Sequence, residues 1–293
     1  MKILITGASG FIGRHLISRL SQCCDAQIFA LDIKRENKEE NLCQSLSADM
    51  AIPGWTEIIP GPMDVVVHLA QSLRYRDFPE GAEDMVRINI NATFELLEWC
   101  RKNYVKKFIF SSTGNVYRPS KDLLGEDQPC DPATMYAATK LSAEHLAAQY
   151  RSFFHVQILR LFGVYGPGQT GMTIPNVIER IRTGEEITLA QGAGLYFTPL
   201  YITDCVMMIS KLLNLDNSCL FNLSGNERIN LGQVVKIAEL ALNRQANIYL
   251  TDNSPVYLQG DNSNICQALQ ARPMIPFDEG IMKTILAYKE KVT

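Results

Sequence analysis

A glycine-spaced turn between a short apolar run and an amphipathic stretch most constrains what this chain can fold into. Residues 1–6 read Met-Lys-Ile-Leu-Ile-Thr, then comes Gly7-Ala8-Ser9-Gly10-Phe11-Ile12-Gly13, and residues 14–20 carry helical periodicity. Strand, turn and helix in direct succession predict the opening of a βαβ unit. The free N–H groups and dipole of a helix N-terminus favour an anion. Gly7, Gly10, Phe11, Ile12 and Gly13 are therefore a candidate diphosphate cradle. Gly7 suits the tight turn, Gly10 a close backbone approach, and Gly13 close packing of helix on strand. The spacing is G-x-x-G-x-x-G, one residue off the common dinucleotide fingerprint, and alone it fits an empty glycine turn equally well.

Asp32 ends the next apolar run, residues 27–31. A carboxylate there can accept from a ribose 2′-OH and repels a 2′-phosphate, which favours NAD over NADP. Lys34 and Arg35 follow directly and blunt that preference, so NADP stays open.

Short apolar runs alternate with helical patterns through the first half of the chain. The expected strands are 3–6, 27–31, 64–68, 107–111 and 156–161; the expected helices are 11–22, 82–102 and 132–153. This rhythm predicts an α/β fold, a Rossmann-like doubly wound parallel sheet over residues 1–165, with later segments able to return to it. Ligands of such sheets sit beyond the strand carboxyl ends. Past the turn-rich Gly163-Val164-Tyr165-Gly166-Pro167-Gly168 the rhythm loosens. Residues 166–293 are expected to form a smaller C-terminal α/β substrate lobe.

Several partner classes are excluded on composition. Lys and Arg number 28 against 31 Asp and Glu, with no basic run, so no nucleic-acid footprint is expected. No apolar stretch reaches membrane-spanning length, and no signal-peptide pattern precedes the first strand. The 8 cysteines include no C-x-x-C pair, as expected of reduced packing residues in a cytoplasmic protein.

A second cluster carries the chemistry. Tyr136 and Lys140 stand four residues apart on a predicted helix and share a face. An ammonium beside a phenol favours phenolate, which would make Tyr136 a general acid/base for a hydroxyl or carbonyl. Ser111, Ser112 and Thr113 lie at the end of the preceding strand, where a hydroxyl can hold the same oxygen. Taken alone, Tyr-x-x-x-Lys is also the pattern of a packed aromatic with a snorkelling lysine. The glycine turn, Asp32, the hydroxyl cluster and Tyr136/Lys140 in order are what hydride transfer requires.

These motifs together resemble the extended short-chain dehydrogenases/reductases, in particular the NAD-dependent epimerase/dehydratase family acting on nucleotide sugars. The likeness rests on residues 6–13, Asp49-Met50, His68-Leu69-Ala70, Asn89-Ile90-Asn91-Ala92-Thr93, residues 111–117, Tyr136-x-x-x-Lys140 and residues 159–167. It implies NAD as cofactor, with Asp49 and Met50 near the adenine. Leu69, Ala70, Asn89 and Ser111 would also stand at the cofactor, and Lys140 would hold the nicotinamide ribose. Thr113, Tyr136 and Lys140 would be catalytic. Residues 82–102 and 132–153 would pair in a homodimeric four-helix bundle.

Departures from the family pattern narrow the reading. Family dehydratases resemble Thr-Asp-Glu where this chain has Thr113-Gly114-Asn115, so the carboxylates for water elimination are missing. Gly163 stands where many nucleotide-sugar enzymes carry Asn. The usual diphosphate-clamping arginines are absent from residues 196–202 and 259–262. Arg74, Arg76, Arg118, Arg180 and Arg272 are candidate substitutes, each equally readable as a solvated surface residue. His68, Trp55 and Trp99 read as structural. The resemblance implies oxidation and reduction at a sugar carbon, foremost as a nucleotide-sugar 4-epimerase. The alternatives are a 4-ketoreductase, a reductase of the superfamily with a non-nucleotide substrate, and, last, a non-catalytic dinucleotide-binding protein.

Overall fold

The computed structural model describes residues 1–33 and 42–290, with only the backbone of Lys289 and Glu290. Two compact units emerge from it. The first comprises Met1–Arg118, Pro129–Arg160 and Val206–Phe221; the second comprises Pro119–Gln128, Leu161–Cys205 and the chain from Asn222 onward.

The first unit is built on β1 (Lys2–Thr6), β2 (Gln27–Asp32), β3 (Gln44–Ser47), β4 (Val65–His68), β5 (Lys107–Thr113), β6 (His155–Leu161) and β7 (Cys219–Leu223). Their order in a seven-stranded sheet is β7-β6-β5-β4-β1-β2-β3. β1 runs parallel to both β2 and β4, pairing Thr6 with Leu31 on one side and with His68 on the other. The chain order reverses at β1, so its carboxyl end, followed by Gly7, marks the switch point of a Rossmann-like sheet. All residues of β4 and β5 are buried, as expected of strands covered on both faces. β3 has no such signature: Gln44-Ser45-Leu46-Ser47 is short, polar and half-exposed at the sheet edge, and the sequence alone does not predict it.

Helix α1 (Phe11–Cys23) buries Gly13, Leu16, Ile17 and Leu20, a stripe at helical spacing. Residues 82–102 are helical throughout, but as three pieces: α2 (Ala82–Val86), a π-helical segment (Arg87–Ala92) and α3 (Thr93–Lys102). Helix α4 (Met135–Ala148) begins later than position 132 because Thr134 caps it, its hydroxyl accepting from the Ala137 N–H at 3.2 Å. Ala137, Lys140, Ala143, Glu144 and Ala147 form its buried face, where small residues allow close packing on the sheet.

Lys107 is 3% exposed. Its ammonium donates to the carbonyls of Leu212 and Leu213 and pairs with Asp216 at 3.1 Å. A cation at those carbonyls closes the carboxyl end of the helix Ile202–Leu212.

The second unit contains a three-stranded sheet of Ile229–Asn230, Leu195–Phe197 and Val256–Leu258, and a parallel pair of Glu186–Ala190 with Asn247–Thr251. No helix among the described residues is long and apolar enough to cross a membrane.

Candidate active site

The glycine turn has the backbone its spacing calls for. Gly7 has φ +67°, and a Cβ there would lie 2.7 Å from the Ala70 nitrogen. A Cβ at Gly13 would lie 2.4 Å from the Gly7 carbonyl oxygen. Both positions therefore require glycine so that α1 and the segment after β4 can close on the turn. Gly10 differs: a Cβ there would meet only the Gly7 carbonyl within 3.4 Å. Gly10 caps α1 without a side-chain hydrogen bond, leaving the first-turn amides of Phe11, Ile12 and Gly13 without side-chain partners among the described residues. An open backbone with unpaired N–H groups fits a diphosphate.

Asp32 stands at the end of β2 beside this turn. Its carboxylate accepts from the Ser9 N–H at 2.9 Å and from the Ile33 N–H at 2.8 Å, so it braces the glycine loop. Lys34 and Arg35 lie outside the described residues. Asp49 accepts from the Ala51 N–H at 2.8 Å in the loop after β3, and Met50, 8% exposed, belongs to the core with Leu31 and Trp55. The Leu69 N–H donates to the Thr6 carbonyl at 3.2 Å, and the Ala70 N–H to the Thr6 hydroxyl at 3.4 Å. These residues line the carboxyl edge of the sheet, where a dinucleotide would lie.

His68 is fully buried between two hydroxyls, with Nδ1 at 2.6 Å from Thr6 Oγ1 and Nε2 at 3.0 Å from Thr93 Oγ1. Thr93 spends its own proton on the Asn89 carbonyl at 2.8 Å, so Nε2 carries the imidazole hydrogen and Nδ1 accepts from Thr6. Burial, with the Lys140 charge nearby, holds its pKa down at about 3, and the ring stays neutral.

Asn89 lies in the π-helical segment and is 1% exposed. Its Oδ1 accepts from the Ser72 N–H at 2.9 Å, and its Nδ2 donates to Thr139 at 2.9 Å. Thr139 in turn donates to the Tyr136 carbonyl at 2.8 Å. One amide thus joins the loop after β4 to the first turn of α4. Ser111 donates to the His68 carbonyl at 3.0 Å, tying the ends of β4 and β5 together.

Thr113 ends β5, its hydroxyl accepting from the Asn115 N–H at 3.2 Å. Its hydroxyl lies near enough to the Tyr136 phenol to favour the phenolate. The Tyr136 O–H donates to Gln71 Oε1 at 2.8 Å, and the Tyr75 ring packs with its centroid 5.4 Å away. Lys140 is 1% exposed, its ammonium 4.3 Å from the Phe110 ring centroid. The electrostatics differ from the expectation drawn from spacing. Burial raises the Tyr136 pKa above that of an ordinary phenol, Tyr75 adds to the rise, and Thr113 opposes it. Burial lowers the Lys140 pKa to about 7, against the pull of Glu144. Desolvation dominates both groups, and the tyrosine–lysine attraction that the spacing suggests contributes to neither shift.

Gln71 and Tyr75 had no motif to announce them, although both follow shortly after His68-Leu69-Ala70. Of the candidate arginines, Arg74 pairs with Asp77 at 3.4 Å and Arg118 with Asp131 at 2.8 Å. Arg76 lies over the Tyr75 ring, and Arg180 donates to the Glu186 carbonyl. Arg272 lines a cavity of about 270 Å³ within the second unit, together with Asp204 and Glu227. Gly163 has φ +52°, and a Cβ there would lie 3.0 Å from the Phe197 ring. A side chain at that position would have to adopt the left-handed backbone and displace the Phe197 ring slightly.

The NAD dependent epimerase/dehydratase family model matches residues 3–232. An uncharacterised UDP-glucose epimerase of Bacillus subtilis is 29% identical, with 97% of each chain covered. A UDP-glucuronate 4-epimerase of Thermodesulfobacterium geofontis is 28% identical over 78% of this chain and 74% of its own. Among solved structures, the UDP-glucuronic acid 4-epimerase of Bacillus cereus, in complex with UDP-glucuronic acid and NAD, superposes with a TM-score of 0.89. It is 27% identical and matches 99% of this chain and 100% of its own. With the glycine turn, Thr113, Tyr136 and Lys140 in place, this chain belongs to the NAD dependent epimerase/dehydratase family.

Proposed function

We propose that this protein is an NAD-dependent nucleotide-sugar 4-epimerase. One observation carries the reading: the Tyr136 hydroxyl is held by Gln71 and favoured as phenolate by Thr113, one helical turn before the buried Lys140 on α4, in the same unit as an open glycine turn. Gly7, Gly10, Phe11, Ile12 and Gly13 would hold the diphosphate of NAD, Asp32 its adenosine ribose, and Asp49 and Met50 the adenine side. Leu69, Ala70, Asn89 and Ser111 would shape the wall beside it, and Lys140 would reach the nicotinamide ribose. NAD, when bound, supplies a hydride acceptor and donor for the sugar carbon.

As the phenolate, its own proton first released to solvent, Tyr136 takes the proton of the sugar hydroxyl and later returns it to the resulting carbonyl oxygen. Thr113 fixes that oxygen through its own hydroxyl. Lys140, with a pKa of about 7, gains its charge readily once an anion or phenolate approaches. Gly114 and Asn115 offer no carboxylate beside the reacting carbon, which supports epimerisation over water elimination.

The second unit is assigned to recognition of the rest of the substrate; the expected lobe of residues 166–293 is corrected in that Val206–Phe221 returns to the first unit and Pro119–Gln128 joins the second. The absence of arginine from residues 196–202 favours, as a second reading, a superfamily reductase with a non-nucleotide substrate. A homodimer joined through α3 and α4 is supported by Phe94 on α3, 48% exposed. None of the 8 cysteines forms a disulfide, in keeping with a cytoplasmic setting.

The test is to purify the protein, assay for retained NAD, and incubate it with UDP-, dTDP-, GDP- and CDP-sugars while following the sugar by NMR. Inversion at C4 without net cofactor consumption is expected. Tyr136→Phe should lower turnover by about a hundredfold or more. Stoichiometric consumption of NADPH, or thermal stabilisation by none of the nucleotide sugars, would overturn the epimerase reading.

A further inference from the structure

Gln71 is in contact with the phenol on which the proposed chemistry depends. Its Oε1 accepts the Tyr136 proton at 2.8 Å. Its Nε2 makes no hydrogen bond among the described residues. The backbone on both sides of Gln71 is pinned. Before it, the Ala70 N–H reaches Thr6; after it, the Ser72 N–H donates to Asn89 at 2.9 Å. The Ser72 hydroxyl donates to Asp84, and the Arg74 N–H donates back to Ser72 at 3.0 Å. A braced loop therefore presents a side chain that can rotate and whose donor end is spare.

A phenol needs an acceptor for its proton, whereas a phenolate needs a donor. A primary amide offers both, exchanged by a half-turn about its last torsion. We propose that Gln71 is the positioning residue of Tyr136, holding the hydroxyl through its carbonyl and the oxyanion through its NH2. In the resting arrangement, the Tyr136 O–H points at Gln71 Oε1. When the proton passes between Tyr136 and the sugar oxygen, Gln71 keeps both of its own protons and turns Nε2 toward the phenolate. Thr113 is then not the only neutral donor to the oxyanion. The inference rests on the reading of Tyr136 as the proton-transfer group.

The other titratable groups near the phenol are few. Tyr75 packs against its ring from the same loop as Gln71, and Lys140 lies one turn along α4. Glu144 acts on Lys140 from the next turn of α4, and Lys140 in turn acts on His68 on β4.

The test compares Gln71→Met, which keeps length without hydrogen bonds, with Gln71→Glu, which accepts but cannot donate. Both should retain the wild-type Tm and NAD content. We expect kcat to fall by on the order of tenfold or more in each, with KM little changed. The limb of the pH–rate profile on which activity rises should move up by about one unit in Gln71→Glu, because a carboxylate opposes the phenolate. Folded variants whose profiles overlay that of wild type, whatever their rates, would overturn the proposal. A readout independent of turnover is the ring Cζ resonance of 13C-labelled tyrosine, assigned with Tyr136→Phe. It should move in Gln71→Met, and an unmoved resonance would also overturn the proposal. Wild-type inactivity on every sugar, with the resonance still moving, would count against the epimerase reading alone.

Discussion

Glu144 on α4 and Arg160 on β6 form a two-pronged ion pair inside the first unit, with Nη2–Oε2 at 2.7 Å and Nε–Oε1 at 3.1 Å. The side chains are 6% and 5% exposed for Arg160 and Glu144. The Ser112 hydroxyl donates to the same carboxylate, so α4, β5 and β6 meet one residue from Thr113 and one turn from Lys140. Removing one partner strands the other charge in a dry interior. Glu144→Gln or Arg160→Met should therefore destabilise the fold by about 3–5 kcal/mol, read as a lower urea midpoint with an unchanged slope. The double variant Glu144→Leu/Arg160→Met should recover part of that loss, because no lone charge remains buried.

His68 sets an acid limit to stability. Its pKa in the fold is about 3, against an ordinary 6.5. Between those values the unfolded chain binds a proton that the folded chain refuses, so stability falls as pH drops from 6.5 toward 3. One such group contributes a slope of at most about 1.4 kcal/mol per pH unit. His68→Gln should flatten the stability curve of the protein across that window and leave it unchanged above. An equally steep curve in the variant would assign the acid sensitivity elsewhere.

The sequence was most legible where a residue's type follows from a single backbone demand. Gly7 and Gly13 could be read because any side chain there collides with backbone, and β4 because an unbroken Val65-Val66-Val67 run suits a strand covered on both faces. β3 was not legible, since Gln44–Ser47 pairs at an edge through backbone alone. The π-helical turn at Arg87–Ala92 left no mark on the 3.6-residue periodicity, although it carries Asn89. The direction of the Tyr136 pKa was misread because spacing reveals charge neighbours but not desolvation, which dominates in a buried helix face. Gln71 meets Tyr136 and Glu144 meets Arg160 from separate elements, and both meetings follow only from the fold.

Gly13 offers a direct probe of the cofactor turn. A methyl group there would sit 2.4 Å from the Gly7 carbonyl oxygen, 2.6 Å from that of Ala8 and 2.8 Å from the Ala8 Cα. These are backbone atoms on a turn already braced by Asp32, so the strain must move α1 away from β1. Gly13→Ala should cost about 1–3 kcal/mol of stability. Purified protein should also retain far less NAD than wild type, measured by absorbance after denaturation. Gly61, with no atom within 4 Å of its Cβ position but φ +52°, is the control. Gly61→Asn, which suits that backbone, should leave NAD content unchanged.

Asn89 should act on catalysis through Tyr136 without touching the proton it moves. Its amide joins the Ser72 N–H to Thr139, and Thr139 holds the Tyr136 carbonyl at 2.8 Å. Asn89→Leu leaves a buried N–H without its acceptor and frees both the Gln71 loop and the first turn of α4. The expected cost is about 1–3 kcal/mol in stability. A misplaced phenol should lower kcat by on the order of a hundredfold, with a smaller effect on KM. Thr139→Val cuts the same bridge from its other end, so the two substitutions should be strongly non-additive in both stability and kcat. Additive losses in that double-variant cycle would show that Asn89 and Thr139 act separately and that the bridge does not position Tyr136.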